Sequence, residues 1–166
     1  MIYLIKKRNS GASILETIFY IALLLAFSIL IINALFTMTK AFKGTTIQSD
    51  LMHGGTIMER ISREIRQAKS IVFITPNSIK LNSIDETGTD KTIEFNFSNS
   101  NINLTENETL VGNLNSLDVS VVNLSFLQIN TTNSIAIKIF LTIKSNKDST
   151  WREESFYNTV VFRGIY

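Results

Sequence analysis

Residues 6–36 read KKRNSGASILETIFYIALLLAFSILIINALF, and this stretch sets the frame for the rest of the 166-residue chain. Residues 18–36 contain no charge and no proline. At ~1.5 Å per residue a helix of that length matches the thickness of a bilayer core. A cleaved secretory signal has a shorter core, roughly 7–15 residues, followed by a small-residue cut site, whereas this block runs on into more helix-forming sequence. Lys6, Lys7 and Arg8 precede it closely. Under the positive-inside rule they hold that end in the cytoplasm, despite Lys40 and Lys43 beyond the far end, so the remainder of the chain is expected to face outward.

Glu16 is the residue an ordinary anchor would not need. It sits among Ile14, Leu15, Ile18 and Phe19, where an ionised carboxylate costs on the order of a few kcal/mol near the bilayer centre and less near an interface. The plain reading is an interfacial glutamate that snorkels into the headgroup layer. A second reading comes from what precedes it: a basic leader, Gly11, small or apolar residues, Glu16 five positions on, then an uninterrupted apolar run.

That order resembles the type IV prepilin signature over residues 6–36. The resemblance implies cleavage after Gly11 by a membrane-embedded prepilin peptidase and methylation of the new amine, which here belongs to Ala12, where the family usually has phenylalanine. It also implies assembly with other pilin or pseudopilin subunits through an inner-membrane platform. Charge chemistry makes the same residues intelligible. Scission between Gly11 and Ala12 would remove the leader's charges and create a cationic α-amine one helical turn before Glu16. In a low-dielectric filament an unpaired charge is costly and an aligned pair tolerable, so the amine would neutralise its own Glu16 or a neighbour's and set the register between subunits.

Beyond residue 36 the period stays helical and the composition becomes amphipathic. Ile47, Leu51, Gly54, Met58, Ile61, Ile65 and Ala68 recur at spacings of three and four, which places them on one stripe, with Glu59, Arg60, Arg63, Glu64 and Arg66 on the opposite face. The helix is expected to end near residue 70. Gly44, Gly54 and Gly55 interrupt it as bend points or as places of close packing. Arg60, Arg63 and Arg66 fit a solvated face, because Glu59 and Glu64 are interspersed with them at pairing distance.

At 75–78 the sequence Thr-Pro-Asn-Ser marks a turn and the period changes from 3.6 to 2. Strands are expected around Ile79 and Leu81, around Ile93, Phe95 and Phe97, and around Val119 and Val121. The strongest is expected over 135–143, and the last at Phe156, Val160 and Phe162. Polar loops are expected at 85–90 and 98–108. Trp151 and Tyr157 are candidates for an exposed aromatic partner surface, although packing in the core or on the sheet is the expected placement. An antiparallel sheet laid on the helix stripe would bury both apolar faces, an α+β arrangement that resembles the pilin fold of a minor pilin or minor pseudopilin. The expected organisation is a leader at 1–11, a transmembrane and assembly helix at 12–36, an amphipathic helix at 37–70 and an extracytoplasmic sheet domain at 71–166.

Composition narrows the chemistry. The chain has no cysteine, so it can form neither a disulfide nor a thiolate metal site, and its one histidine, His53, lacks companions at metal or triad spacing. A net charge of +2 without a clustered basic face does not point to direct nucleic-acid binding. Asp85, Glu86 and Asp90 lack the glycine-anchored spacing of a calcium loop. The expectation is therefore an assembly subunit without catalysis, cofactor or metal. The competing expectation is an uncleaved, single-pass anchored binding module whose sheet recognises a ligand outside the cytoplasm.

Overall fold

The computed structural model describes residues 14–85, 87–130 and 134–162. They form an α+β protein that begins with one long helix, α1 (Ile14–Gln67). Eight strands follow: β1 (Ser70–Ile74), β2 (Ser78–Ile84), β3 (Asp90–Ser98), β4 (Asn101–Glu106), β5 (Thr109–Asn113), β6 (Val119–Asn130), β7 (Ile135–Ser145) and β8 (Glu153–Phe162). The chain divides into two units, Met1–Lys43 and Gly44–Tyr166, with the boundary inside α1.

In the second unit, the stripe of Ile47, Leu51, Gly54, Met58, Ile61, Ile65 and Ala68 is buried as its spacing requires, joined by Ile57 and Ser62. Ile61 and Ile65 are fully enclosed. At ~1.5–3 kcal/mol for a buried side chain of this size, such positions, rather than helix propensity, hold this half of α1 in place. Arg60, Arg63 and Arg66 lie on the exposed face, where the ion pair that forms is Arg60–Glu64 at 4.0 Å.

The strands form two antiparallel sheets, where the sequence suggested a single one. Sheet A has the order β1-β2-β3-β4-β5 and sheet B the order β6-β7-β8. The break comes after β5, where buried Asn115 holds the crossover. Its Nδ2 donates to Val119 O (2.7 Å) and Asn101 Oδ1 (2.9 Å), and its Oδ1 accepts from Ile102 N (3.0 Å). The β6 amides of Val121 and Phe126 then donate to Ser100 O and Pro76 O, so turns of sheet A cover the β6 edge. The inner faces of both sheets and the α1 stripe share one core. Strand β7 is central in sheet B, with Ile137, Ile139, Leu141 and Ile143 fully buried on one face.

Two local expectations need correction. Strands start at Ser70, before the 75–78 turn, because α1 ends at Gln67 and the short SIVFI segment pairs with β2. The 98–108 segment is mostly β-structure, with β4 carrying Ile102 and Leu104 into the core. Its turns are tight two-residue hairpins in which Asn99 and Ser100, then Asn107 and Glu108, all have positive φ. Those are the angles of type I′ turns, whose usual marker is Asn-Gly, and the lack of glycine hid them. Residues 85 and 87–89 lie between β2 and β3 as expected of a loop, whereas Asp90 opens β3, paired with Ile84. Asp85 Oδ1 accepts from Thr87 N (2.9 Å), Thr87 Oγ1 (2.7 Å) and Thr89 N (2.8 Å), while Asp90 pairs with Lys69. The Thr87 hydroxyl and the Thr89 amide hold the Asp85 carboxyl below its usual range. Glu86 lies outside the described residues.

Trp151 and Tyr157 lie outside the core, Tyr157 packing on the sheet instead. They are 67% and 68% exposed on the solvent side of sheet B. Tyr157 rests on Phe140 with ring centroids 4.7 Å apart, and Lys144 Nζ lies 4.6 Å from the Trp151 ring centroid. Nearby, Asp148 is buried and accepts from Thr150 Oγ1 and Arg152 Nε, which hold its carboxyl well below the usual range.

The paired glycines divide their roles. A Cβ on Gly54 would stand 2.3 Å from the Phe156 ring and 2.8 Å from Ile143 Cδ1, so Gly54 is where sheet B approaches the helix. Asn158 Nδ2 donates to Ser62 Oγ and Ser145 Oγ to Asp50 Oδ2, both at 2.7 Å, on either side of that contact. Gly55 has only Phe156 Cε1 at 4.0 Å. Gly55→Ala is therefore expected to raise the melting temperature, since alanine gains ~1 kcal/mol in helix propensity. Gly54→Ala is expected to lower it, because overpacking costs ~1–3 kcal/mol and outweighs that gain. Adding Phe156→Leu to Gly54→Ala should recover part of the loss. Thermal unfolding of the four chains checks this, and equal shifts for the two glycines would refute the close-contact account.

Candidate functional site

The first unit supplies the candidate site. Residues 14–43 are helical throughout, and an 18-residue window of α1 reaches a mean hydropathy of 2.6 with none of it buried within the chain. Ile14, Leu15, Ile18 and Phe19 are each at least 60% exposed. A surface this apolar and this bare is stable only when something other than water covers it. By length and composition it is one helix capable of crossing a membrane.

Three of its hydroxyls are handled locally. Ser28 Oγ donates to Leu24 O (2.8 Å), Thr37 Oγ1 to Asn33 O (2.9 Å) and Thr39 Oγ1 to Leu35 O (2.9 Å). Each hydroxyl spends its proton on the carbonyl four residues back, so it needs no partner outside the helix and adds little cost in an apolar medium.

Glu16 lies in the first described turn of α1. Its Oε1 accepts a hydrogen bond of 2.9 Å from the Tyr20 hydroxyl one turn later. Tyr20 in turn meets Phe19 edge to face at 6.3 Å between ring centroids. Leu15, Glu16, Ile18, Phe19 and Ala22 line a shallow apolar hollow beside the carboxylate. The carboxylate is thus tethered and oriented on an otherwise greasy surface. Tyr20 was not singled out from sequence, although its i,i+4 spacing from Glu16 is the signal that could have found it.

Gly11, Ala12 and the basic residues Lys6, Lys7 and Arg8 lie outside the described residues. Among the described residues no group of three or more His, Asp or Glu side chains converges. His53 sits half-buried with its Nδ1 enclosed and without a hydrogen-bond partner among the described residues. No family model, curated protein or solved structure matches the chain.

Proposed function

We propose that this chain is a structural assembly subunit of the type IV pilin class, a minor pilin or pseudopilin matured by prepilin peptidase cleavage after Gly11. The observation that carries this is Glu16: a carboxylate tethered by Tyr20 in the first described turn of a bare apolar helix, with a glycine five residues earlier in a basic leader. Before cleavage the chain sits in the cytoplasmic membrane with Lys6, Lys7 and Arg8 inside and the sheet unit outside. Those charges cannot be drawn into the hydrocarbon, so the precursor stays parked. Cleavage removes them and frees the Ala12 amine, the counter-ion that lets Glu16 enter a low-dielectric helix bundle. Methylation of Ala12 would retain that positive charge. The subunit then joins other pilin or pseudopilin subunits at the inner-membrane assembly platform, with no catalysis, cofactor or direct nucleic-acid contact of its own.

A second reading, the uncleaved anchored binding module, draws support from one feature. The outward face of sheet B exposes Leu127, Tyr157 and Val161 around a shallow cleft lined by Ser125, Leu127, Lys138, Phe140 and Tyr157. Intact-mass measurement of the chain isolated from its own membranes separates the two. A mature chain starting at Ala12 is expected. A fully functional chain that retains Met1 in cells with active peptidase would overturn the assembly proposal in favour of the module.

A further inference from the structure

A lone exposed leucine on a protein surface is ordinary. Leu117 is 96% exposed, and what sets it apart is how firmly the chain around it is held. Asn146 Nδ2 donates to Leu117 O (2.9 Å), Asn146 N donates to Asp118 O (2.8 Å), and Lys147 Nζ pairs with Asp118 Oδ2 (2.6 Å). Val119 N closes the turn onto Ser116 O (3.1 Å). A knob fixed in this way has already given up freedom that docking would otherwise cost. Asp118 Oδ1 is left without a hydrogen bond among the described residues.

Sheet B carries a cleft of the opposite character. On its outward face the register sets Lys138 between Leu127 and Thr159, and Phe140 between Ser125 and Tyr157. The cleft is therefore apolar and aromatic around one cation. Lys138 is exposed, and among the described residues no carboxylate pairs with it. Two such faces laid against each other would oppose lysine to lysine, which disfavours a symmetric contact. The cleft calls instead for an apolar side chain beside a carboxylate. In the second unit, Asp118 is the described carboxylate that adjoins an exposed large apolar residue in the chain, Leu117. Glu16 adjoins Leu15, but both belong to the bare apolar helix.

We propose that Leu117 and Asp118 of one copy dock in the sheet B cleft of a second copy, Leu117 between Leu127 and the Phe140–Tyr157 ring pair and Asp118 Oδ1 against Lys138. The contact joins two different surfaces. It is therefore heterologous and repeats from copy to copy without a twofold axis that would set their α1 helices in opposite directions. Its two halves lie at different levels along α1. Ser145, next to the Asn146 that holds the knob, donates to Asp50, whereas Asn158, opposite Ile139 at the cleft, donates to Ser62. Asp50 and Ser62 are separated by about 18 Å of helix. Copies with parallel helices meet in this way only when staggered by about that distance, as successive subunits of a helical filament are. This deepens the assembly proposal and rests on it for the stagger.

The chain has no cysteine, so engineered thiols report without background. A full-length copy carrying Ser116→Cys beside the knob and a differently tagged copy carrying Ser125→Cys in the cleft would be mixed in detergent, which leaves copies free to stagger, and oxidised. Ser116→Cys mixed with Thr109→Cys on β5 serves as the control. Mixed dimer is expected at about ten times the control level, because the docked pair lies within disulfide reach. A yield equal to the control would overturn the proposal. In lipid vesicles, where α1 holds inserted copies level, the same pair is expected to fall to the control level, and equal yields in vesicles and detergent would refute the stagger. Lys138→Glu in the cleft copy is expected to lower the dimer by about ten-fold. A knob copy carrying Asp118→Lys with Lys147→Asp keeps the loop's own ion pair with the signs exchanged, and it is expected to recover the yield against Lys138→Glu. Absence of that recovery would remove the Asp118–Lys138 pairing. Ser125→Cys chains oxidised alone in their own membranes and found mainly as adducts of a different protein would assign the cleft to that partner and overturn the proposal. Leader cleavage is read separately by intact mass, so a failed contact and a failed assembly reading give different results.

Discussion

Glu16→Ala is expected to leave membrane insertion unchanged and to deplete the chain from filaments by at least ten-fold. The expectation follows from opposing magnitudes. An unpaired charged residue in hydrocarbon costs ~2.5–3.5 kcal/mol on insertion scales and less toward the interface, so removing Glu16 makes insertion slightly easier. Its pairing with a neighbour's Ala12 amine at ~4 Å would be worth about 4 kcal/mol at an effective dielectric near 20, before desolvation is subtracted. A residue of 1.4 kcal/mol from that balance already amounts to a ten-fold change in occupancy. Glu16→Gln sharpens the test, because the amide keeps the side chain's shape and can still accept from Tyr20, whose bond to Oε1 is 2.9 Å in the native chain. If charge drives incorporation, Glu16→Gln fails nearly as badly as Glu16→Ala. If the Tyr20 bond matters more, Glu16→Gln is incorporated normally and Tyr20→Phe is the damaging change. The measurement is the ratio of chain in sheared filaments to chain left in the membrane. Normal incorporation of both Glu16 variants would remove the charge-pairing mechanism.

How far the sequence carried depends on whether a residue's role is set by neighbours in the chain or by neighbours in space. The α1 stripe was legible because a helix repeats every 3.6 residues, and all seven stripe positions from Ile47 to Ala68 are buried. Strand β7 was legible for the same reason at period 2. The hairpins around β4 were missed because Asn-Ser and Asn-Glu adopted positive φ without glycine to announce it, a cost carried by the pairing on either side. The division into two sheets depends on what Asn115 touches across the crossover, and nothing local marks that asparagine as different from its many neighbours of the same type. The asymmetry of Gly54 and Gly55 was equally out of reach, since it depends on a phenylalanine about a hundred positions away. In the candidate site, Glu16 stood out as a charge in an apolar run, whereas Tyr20 looked like one more aromatic until its hydroxyl was seen on the carboxylate.

Gly11→Phe is expected to produce the second large effect, complete retention of the leader. Glycine carries no side chain, so a peptidase can bring its catalytic groups close to the following peptide bond, and a large ring at that position fills the approach. The variant should accumulate in the membrane at full length, with intact mass reporting Met1 as the first residue, and should be missing from filaments. Gly11→Ala, which adds a single methyl, is expected to be cut slowly and to be incorporated in proportion to the fraction cut. That proportionality matters because it ties assembly to the new amine rather than to any other property of the mutant. The leader's three basic residues, Lys6, Lys7 and Arg8, give the same conclusion from the other side. In the proposed mechanism, as long as they remain attached the precursor would carry cations held at the cytoplasmic surface, and Glu16 would lack the α-amine of Ala12. If uncut Gly11→Phe chains enter filaments as readily as the native protein, then neither the removal of charge nor the new terminus is what permits assembly. Cleavage at another bond in that variant, followed by normal incorporation, would leave the electrostatic mechanism standing and move the cut away from Gly11.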